Sequence, residues 1–246
     1  MKGIRASLQG LLLVACVHVL PSQAASISIN TVDTGELLRQ GTFPASPSDV
    51  YSHSPTLQEL SYEFIGFNPS GTLMEDRERS GYVVYDLSSV MGDIVDASLQ
   101  FEVNVTDATP GNLVVNTIDS ARLGDVTAAP VGPLTQVQFD NLFAALSSGV
   151  TAVSQTLAAG IATINLSLGA VGTSHLSSAA GLVGFQLLYQ AAALQTLALG
   201  VDSAPQLLLT TIAPDVGGSV PSAGTLALLL PGVLLLVLRA GRRRQG

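Results

Sequence analysis

The chain has 246 residues, 47% of them hydrophobic and only 11% charged, with no tryptophan and one cysteine, Cys16. Its formal net charge is −8, but between Ala25 and Ser219 four basic residues (Arg39, Arg77, Arg79, Arg122) stand against all 18 acidic ones, leaving −14. Such a body repels nucleic acid and anionic lipid, and a single cysteine excludes an internal disulfide, so stability must come from burial in a chain long enough for one core.

Lys2 and Arg5 precede an apolar run from Leu11 to Leu20, followed by Pro21, Ser22, Gln23 and Ala24. A basic start, a short apolar segment and a small-x-small site predict a secretory signal peptide over residues 1–24, cut between Ala24 and Ala25. The stretch Leu13-Val14-Ala15-Cys16 also fits a lipoprotein cleavage site, although Val17, His18, Val19 and Leu20 would follow the lipid where a polar spacer is usual. After cleavage at Ala24 the mature chain holds no cysteine.

The exported segment, residues 25–214, reads as strands. Ser26 to Asn30 (SISIN) alternates as an outer strand does. Residues 41–56 hold Pro44, Pro47 and Pro55 among serines and predict an irregular surface loop. Leu60 to Phe67 is a second strand, ended by Asn68-Pro69-Ser70-Gly71, in which Pro presets φ and Gly supplies a positive φ. Tyr82, Val83, Val84, Tyr85 and Leu87 form a strand, Met91-Gly92-Asp93 a turn, and Ala97, Leu99, Phe101, Val103 and Val105 alternate with Asp96, Ser98, Gln100, Glu102 and Asn104. One face for a core and one for water is the signature of an antiparallel sheet, and here of a sandwich. Leu113 to Ile118 continues it.

Gln136 to Leu146 is the single helix predicted within this segment, with Val137, Leu142 and Ala145 near one face, Phe139, Phe143 and Leu146 on the adjoining one, and Gly149 as its stop. Ile161 to Leu168, Gly184 to Gln190 and Pro205 to Ile212 return to strand. No Asp, Glu, Lys or Arg lies between Asp140 and Asp202, and Ala179 to Val201 is long enough to cross a bilayer. Gln186, Tyr189, Gln190, Gln195 and Thr196 are costly in lipid, which favours buried strands over a membrane span.

Residues 215–219 are a linker, and residues 220–246 form a distinct tail. Val220 to Leu238 are 19 residues without a charge, which at about 1.5 Å per residue span a hydrocarbon core of about 30 Å. Pro231 and Gly232 kink this predicted transmembrane helix without abolishing it, because lipid penalises unpaired backbone. Arg239, Arg242, Arg243 and Arg244 follow and hold the C-terminus in the cytoplasm, leaving the acidic body outside.

The tail resembles the PEP-CTERM sorting domain, which opens on Val-Pro-Glu-Pro, runs into a short span beginning Thr-Leu-Ala-Leu-Leu and closes on an arginine cluster. Val220, Pro221, Thr225, Leu226, Ala227, Leu228, Leu229 and Arg242, Arg243, Arg244 match; Ser222 and Ala223 stand where the family has Glu and the second Pro. The resemblance implies an exosortase-type membrane protease of exopolysaccharide-making Gram-negative bacteria as partner, and delivery from an inner-membrane-anchored precursor to the cell surface or extracellular matrix. A permanent single-pass anchor is the alternative. The interior resembles an exported β-sandwich pattern, R-x-F-x-F-D-L-S followed by G-x-I-x-S-A-x-L, here Arg77 to Ser88 and Gly92 to Leu99, with Phe139, Leu142, Pro205 and Leu207 matching later positions. It implies a jelly-roll-like sandwich, often carbohydrate-binding or adhesive, and a pairing of Arg79 with Asp86.

The chemistry is sparse. There is no G-x-S-x-G elbow, H-E-x-x-H helix, phosphate-binding loop or mature cysteine nucleophile, so no enzymatic activity and no cofactor are expected. His53 and His175 read as exposed loop histidines, neither metal ligand nor base. Glu75, Asp76 and Glu78 have the oxygens to hold calcium or to act as an acid and base pair, but Arg77 and Arg79 between them favour a solvated, self-paired strand entrance. Tyr51, Tyr62, Tyr82, Tyr85 and Tyr189 are the aromatic candidates for stacking on sugars, and core packing is favoured for them. The expectation is an all-β, exported structural or adhesive component associated with exopolysaccharide, with a glycan-specific binding module as the second reading and a hydrolase as the third.

Overall fold

The computed structural model describes residues 24–43, 49–67, 74–105, 111–179, 181–191 and 197–213. Residues 23–212 form one compact unit. In chain order its elements are β1 (Ala24–Ile29), β2 (Asp33–Phe43), β3 (Val50–Ser54), β4 (Glu59–Phe67), β5 (Met74–Asp86), β6 (Asp93–Val105), β7 (Gly111–Ile118), α1 (Ser120–Thr127), β8 (Gly132–Pro133), α2 (Gln136–Leu146), β9 (Thr151–Leu157), β10 (Gly160–Ser167), α3 (Gly169–Ser178), β11 (Leu182–Ala191), β12 (Leu197–Val201) and β13 (Gln206–Ile212). The fold is all-β and sandwich-like, and each strand pair among the described residues is antiparallel.

Two long strands organise it. β6 carries β10 along one edge and β13 then β12 along the other: Leu99 lies opposite both Leu166 and Leu207, and Val103 opposite both Ala162 and Val201. β5 carries β2 along one edge, from Asp33 opposite Val84 to Phe43 opposite Met74, and β11 then β4 along the other. β12 pairs with β4, which joins the two assemblies into one folded sheet. The inward side chains of β6 (Ala97, Leu99, Phe101, Val103, Val105) share one cluster with Val83 and Tyr85 of β5, Leu113 and Val115 of β7, and Val183, Phe185 and Leu187 of β11. The predicted alternation of β6 therefore holds, and its four larger inward residues contribute about 1.5–3 kcal/mol each by burial.

The strand β5 is apolar on both faces because both are covered. Tyr82 and Val84 point into a second cluster with Leu37 of β2, Tyr51 of β3, Leu123 and Val126 of α1, and Phe139, Leu142, Ala145 and Leu146 of α2. The two helices thus lie on the outer side of the β5 assembly, and a strand buried on both faces shows no alternation.

Several expectations are corrected. Among the described residues three helices stand where the exported segment was expected to hold one. α2 has the expected bounds and a capping box, with Gln138 Oε1 accepting from the Thr135 N–H at 2.9 Å and Thr135 Oγ1 from the Gln138 N–H at 3.3 Å; it stops at Leu146, and Val137 faces solvent at 69% exposure rather than the core. α1 was missed because Leu123 and Val126 are its only buried residues; Asp119 caps it by accepting from the Ala121 N–H at 2.9 Å. α3 was missed because two glycines and four hydroxyl residues hide its single buried leucine, Leu176. The predicted loop over 41–56 contains the end of β2 and all of β3, in which Tyr51 and His53 are buried and Val50, Ser52 and Ser54 are not; a polar histidine masked the alternation. β9 and β12 were not foreseen. The turn at Met91-Gly92-Asp93 is present, with Gly92 at φ 95° supplying the left-handed position; the turn at Asn68 to Gly71 lies outside the described residues.

The long uncharged stretch Ala179 to Val201 contains β11 and β12, and β11 is hydrogen-bonded to β5 on one edge and β7 on the other. Among the described residues no helix is long and apolar enough to cross a membrane. The predicted signal peptide up to Gln23, the predicted linker and the tail with Val220, Pro221, Thr225, Leu226, Ala227, Arg242, Arg243 and Arg244 lie outside the described residues.

Candidate functional site

Of the residues expected to carry function, Ala24 and Ala25 are described. They open β1, exposed, as register partners of Ile212 and Thr211 at the end of β13. The first and last strands of the folded unit are therefore neighbours, and both chain ends leave it at one place.

His53 is not an exposed loop histidine. It is 4% exposed on β3, which strand alternation turns toward α2. Its Nδ1 lies 3.0 Å from the Pro130 carbonyl oxygen, which accepts only, so Nδ1 carries the proton. In the neutral ring Nε2 is then an acceptor and takes the Tyr82 hydroxyl proton at 3.0 Å. Burial, with Asp33 nearby, pushes the Tyr82 phenol far above its ordinary value, so it stays a donor. Both partners of the ring are structural, and the arrangement ties β3 and β5 to the loop before β8.

His175 sits on α3 with its ring edge-on to Phe185 at 5.5 Å, and its Nε2 is buried without a partner among the described residues. Burial lowers its pKa, against a hydrogen bond to the Gly184 backbone and the charge of Asp119.

Arg79 does not pair with Asp86. Its Nη1 lies 3.1 Å from Glu59 Oε2 and 3.4 Å from Glu36 Oε1. Glu36, 8% exposed, also accepts the backbone N–H of Gln58 at 3.3 Å and of Glu59 at 3.2 Å. One buried carboxylate thus fixes the start of β4 against β2 and β5. Asp86 instead accepts the Ser88 N–H at 2.8 Å, which lowers its pKa and shapes the turn after β5. The side chains of Glu75, Asp76 and Arg77 lie outside the described residues, as does that of Tyr62.

Four of the five tyrosines are interior: Tyr51 at 8%, Tyr82 at 2%, Tyr85 at 0% and Tyr189 at 3% exposure. None of these four presents a ring face for a sugar. Tyr85 donates to the Pro205 carbonyl oxygen at 3.0 Å, pinning the entry to β13. Sequence reasoning also missed Gln186, fully buried on β11, which accepts from Asn116 Nδ2 at 3.1 Å and donates to Ser147 Oγ at 3.2 Å. A glutamine amid apolar strand residues was the available signal.

Two surface features have the chemistry of binding. A groove of about 410 Å³ runs between α1 and α2 over Leu134 and Leu142, with Gln138 and Asn141 on its wall; its carboxylate, Asp125, is tied to Arg122 at 2.9 Å. A smaller depression of about 330 Å³ lies on the outer side of β1, β13 and β6 and presents Ser26, Ser28, Ser98, Thr210 and Asp96. Both offer hydrogen bonds to a neutral ligand. The chain matches no family model, and a comparison with curated proteins finds no match.

Proposed function

We propose that this chain is an exported, non-enzymatic surface or extracellular-matrix protein, a structural or adhesive component associated with exopolysaccharide. Its body is a jelly-roll-like sandwich, and it is sorted through a C-terminal signal of the PEP-CTERM type. The observation that carries this reading is the antiparallel pairing of β1 with β13, which sets Ala24 beside Ile212. The chain therefore enters and leaves the body at neighbouring strand ends, which is compatible with a signal peptide ahead of Ala25 and a membrane span after Val220. The charge of −14 between Ala25 and Ser219 suits a solvated body beside neutral glycan.

The partner in sorting is an exosortase-type membrane protease acting near Val220 and Pro221, with Thr225, Leu226 and Ala227 opening the span and Arg242, Arg243 and Arg244 closing it on the cytoplasmic side. Mass spectrometry of the mature protein tests this: the expected product begins at Ala25 and ends near Pro221. An extracellular protein retaining Arg244 refutes the sorting, and a reporter at Asp215 found in the cytosol refutes export as well.

The hydroxyl-bearing depression on β1, β13 and β6 supports a second reading, a module recognising a neutral glycan without aromatic stacking. Reproducible hits on a glycan array, lost on Ser98→Trp, favour it over a purely structural role.

A further inference from the structure

The two strands joined by Ala158 and Ala159 belong to different assemblies: β9 pairs with β7, and β10 pairs with β6. Among the described residues each has one strand neighbour, so each leaves a row of N–H and C=O groups along its other edge. Exposed edges invite another strand, and proteins blunt them with lysine, proline or inward-pointing charge. β10, Gly-Ile-Ala-Thr-Ile-Asn-Leu-Ser, has none of these, nor has β9, and both fall inside the stretch without charge between Asp140 and Asp202. Ile164 and Leu166 of β10 point inward, while Ile161, Thr163, Asn165 and Ser167 are exposed, Ile161 at 68%.

We infer that β10 is a self-association edge, to which the β10 of a second copy of this chain adds antiparallel about a two-fold axis. Net charge limits where a second copy can dock: two copies of a body carrying −14 repel over most approaches, and among the described residues the single-neighbour strands β1, β9 and β10 carry no charge. Of these three, β10 is the longest and the only one that exposes a large apolar side chain, Ile161, which a second copy would take out of water. The nearest carboxylate is Glu102 on β6, opposite Thr163. Across the axis the two Glu102 residues stand three strand spacings apart, roughly 14 Å, beyond a Debye length of about 8 Å. An isologous contact of this kind is self-complementary and closed, and it extends the β6 sheet through both copies.

The lone cysteine makes the test clean. In the full chain, purified in mild detergent with Cys16→Ser, single cysteines replace Ile161, Thr163, Asn165 and Ser167, and Ser28 on β1 serves as the control. Residues facing their own copy across the axis come within disulfide reach, so mild oxidation should yield a covalent dimer from one or two adjacent outward β10 positions and none from Ser28→Cys. Thr163→Lys places like charges on the axis and should convert the dimer to monomer by light scattering while leaving the melting temperature within a few degrees. A monomeric parent chain, equal cross-linking at Ser28, or a dimer that persists in Thr163→Lys overturns the inference, the last because it assigns association to the tail.

Discussion

Glu36 and Arg79 offer a quantitative test of the interior. Their side chains are 11% and 16% exposed, Glu36 Oε2 also holds the amides of Gln58 and Glu59, and Arg79 keeps a second contact to Glu59, which is 28% exposed. Removing one partner of a buried ion pair costs about 3–5 kcal/mol, because the other charge is left in a poor solvent. Glu59 still neutralises Arg79 after Glu36→Ala, which places the loss at the lower end, about 3 kcal/mol. For a unit of this size that is a fall of roughly 6–12 °C in melting temperature. Arg79→Met should destabilise less, since Glu36 retains two backbone donors. The double variant should lose about 1–2 kcal/mol less than the two single losses added, by urea unfolding followed by circular dichroism. Asp86→Asn combined with Arg79→Met should be additive. Additive losses for Glu36 and Arg79, or coupling between Arg79 and Asp86 instead, would refute the assignment.

Tyr85→Phe leaves the Pro205 carbonyl oxygen buried without its donor and should cost about 1–3 kcal/mol in thermal unfolding, against little change for Thr173→Ala on the exposed side of α3. Gly149→Ala should destabilise by about 1–3 kcal/mol, since a Cβ there meets the Thr117 carbonyl oxygen and the Thr117 hydroxyl, which accepts the Val150 N–H; calorimetry measures it. His175 is folded with a lowered pKa, so below its unfolded value of 6.5 the unfolded chain takes up the proton first and stability falls with pH. Melting temperatures from pH 7 to pH 5 should therefore decline more steeply for the parent than for His175→Gln, and equal slopes would show that the ring is solvated.

What the sequence made legible follows from how each element is solvated. β6 and the second half of β10 meet core on one face and water on the other, so their period of two survives in the residue types. α2 was legible because Leu142 and Ala145 recur on one side with Phe139 and Leu146 beside them at helical spacing, and all four are buried. β2 was not: from Asp33 to Gly41 only Gly35, Glu36 and Leu37 are buried, and the buried glutamate reads as a surface residue until Arg79 and two amides are seen around it. His53 was misplaced for the same reason, since its burial rests on Pro130 and Tyr82, which approach from distant parts of the chain. The pairing implied by resemblance for Arg79 failed because Asp86 lies seven residues along an extended strand, about 23 Å away, whereas Glu36 and Glu59 lie on the flanking strands.

The placement of β13 bears on what removal of the tail can do to the body. β13 is an interior strand, with β1 along one edge and β6 along the other, and its ladder runs to Ile212 opposite Ala24 and Asp93. A cut near Pro221 falls nine residues beyond that last pair. Cleavage after Ala24 removes a single terminal pair and leaves Ala25 opposite Thr211 through Ile29 opposite Leu207 intact. Neither event touches Leu207 or Leu209, the buried residues of β13 in the main core. A cut at either proposed point therefore leaves the β13 ladder and its two buried leucines in place. The melting temperature of a chain running from Ala25 to Pro221 should lie within a few degrees of that of the full chain, and a larger fall by calorimetry would place part of the folding energy beyond the β13 ladder.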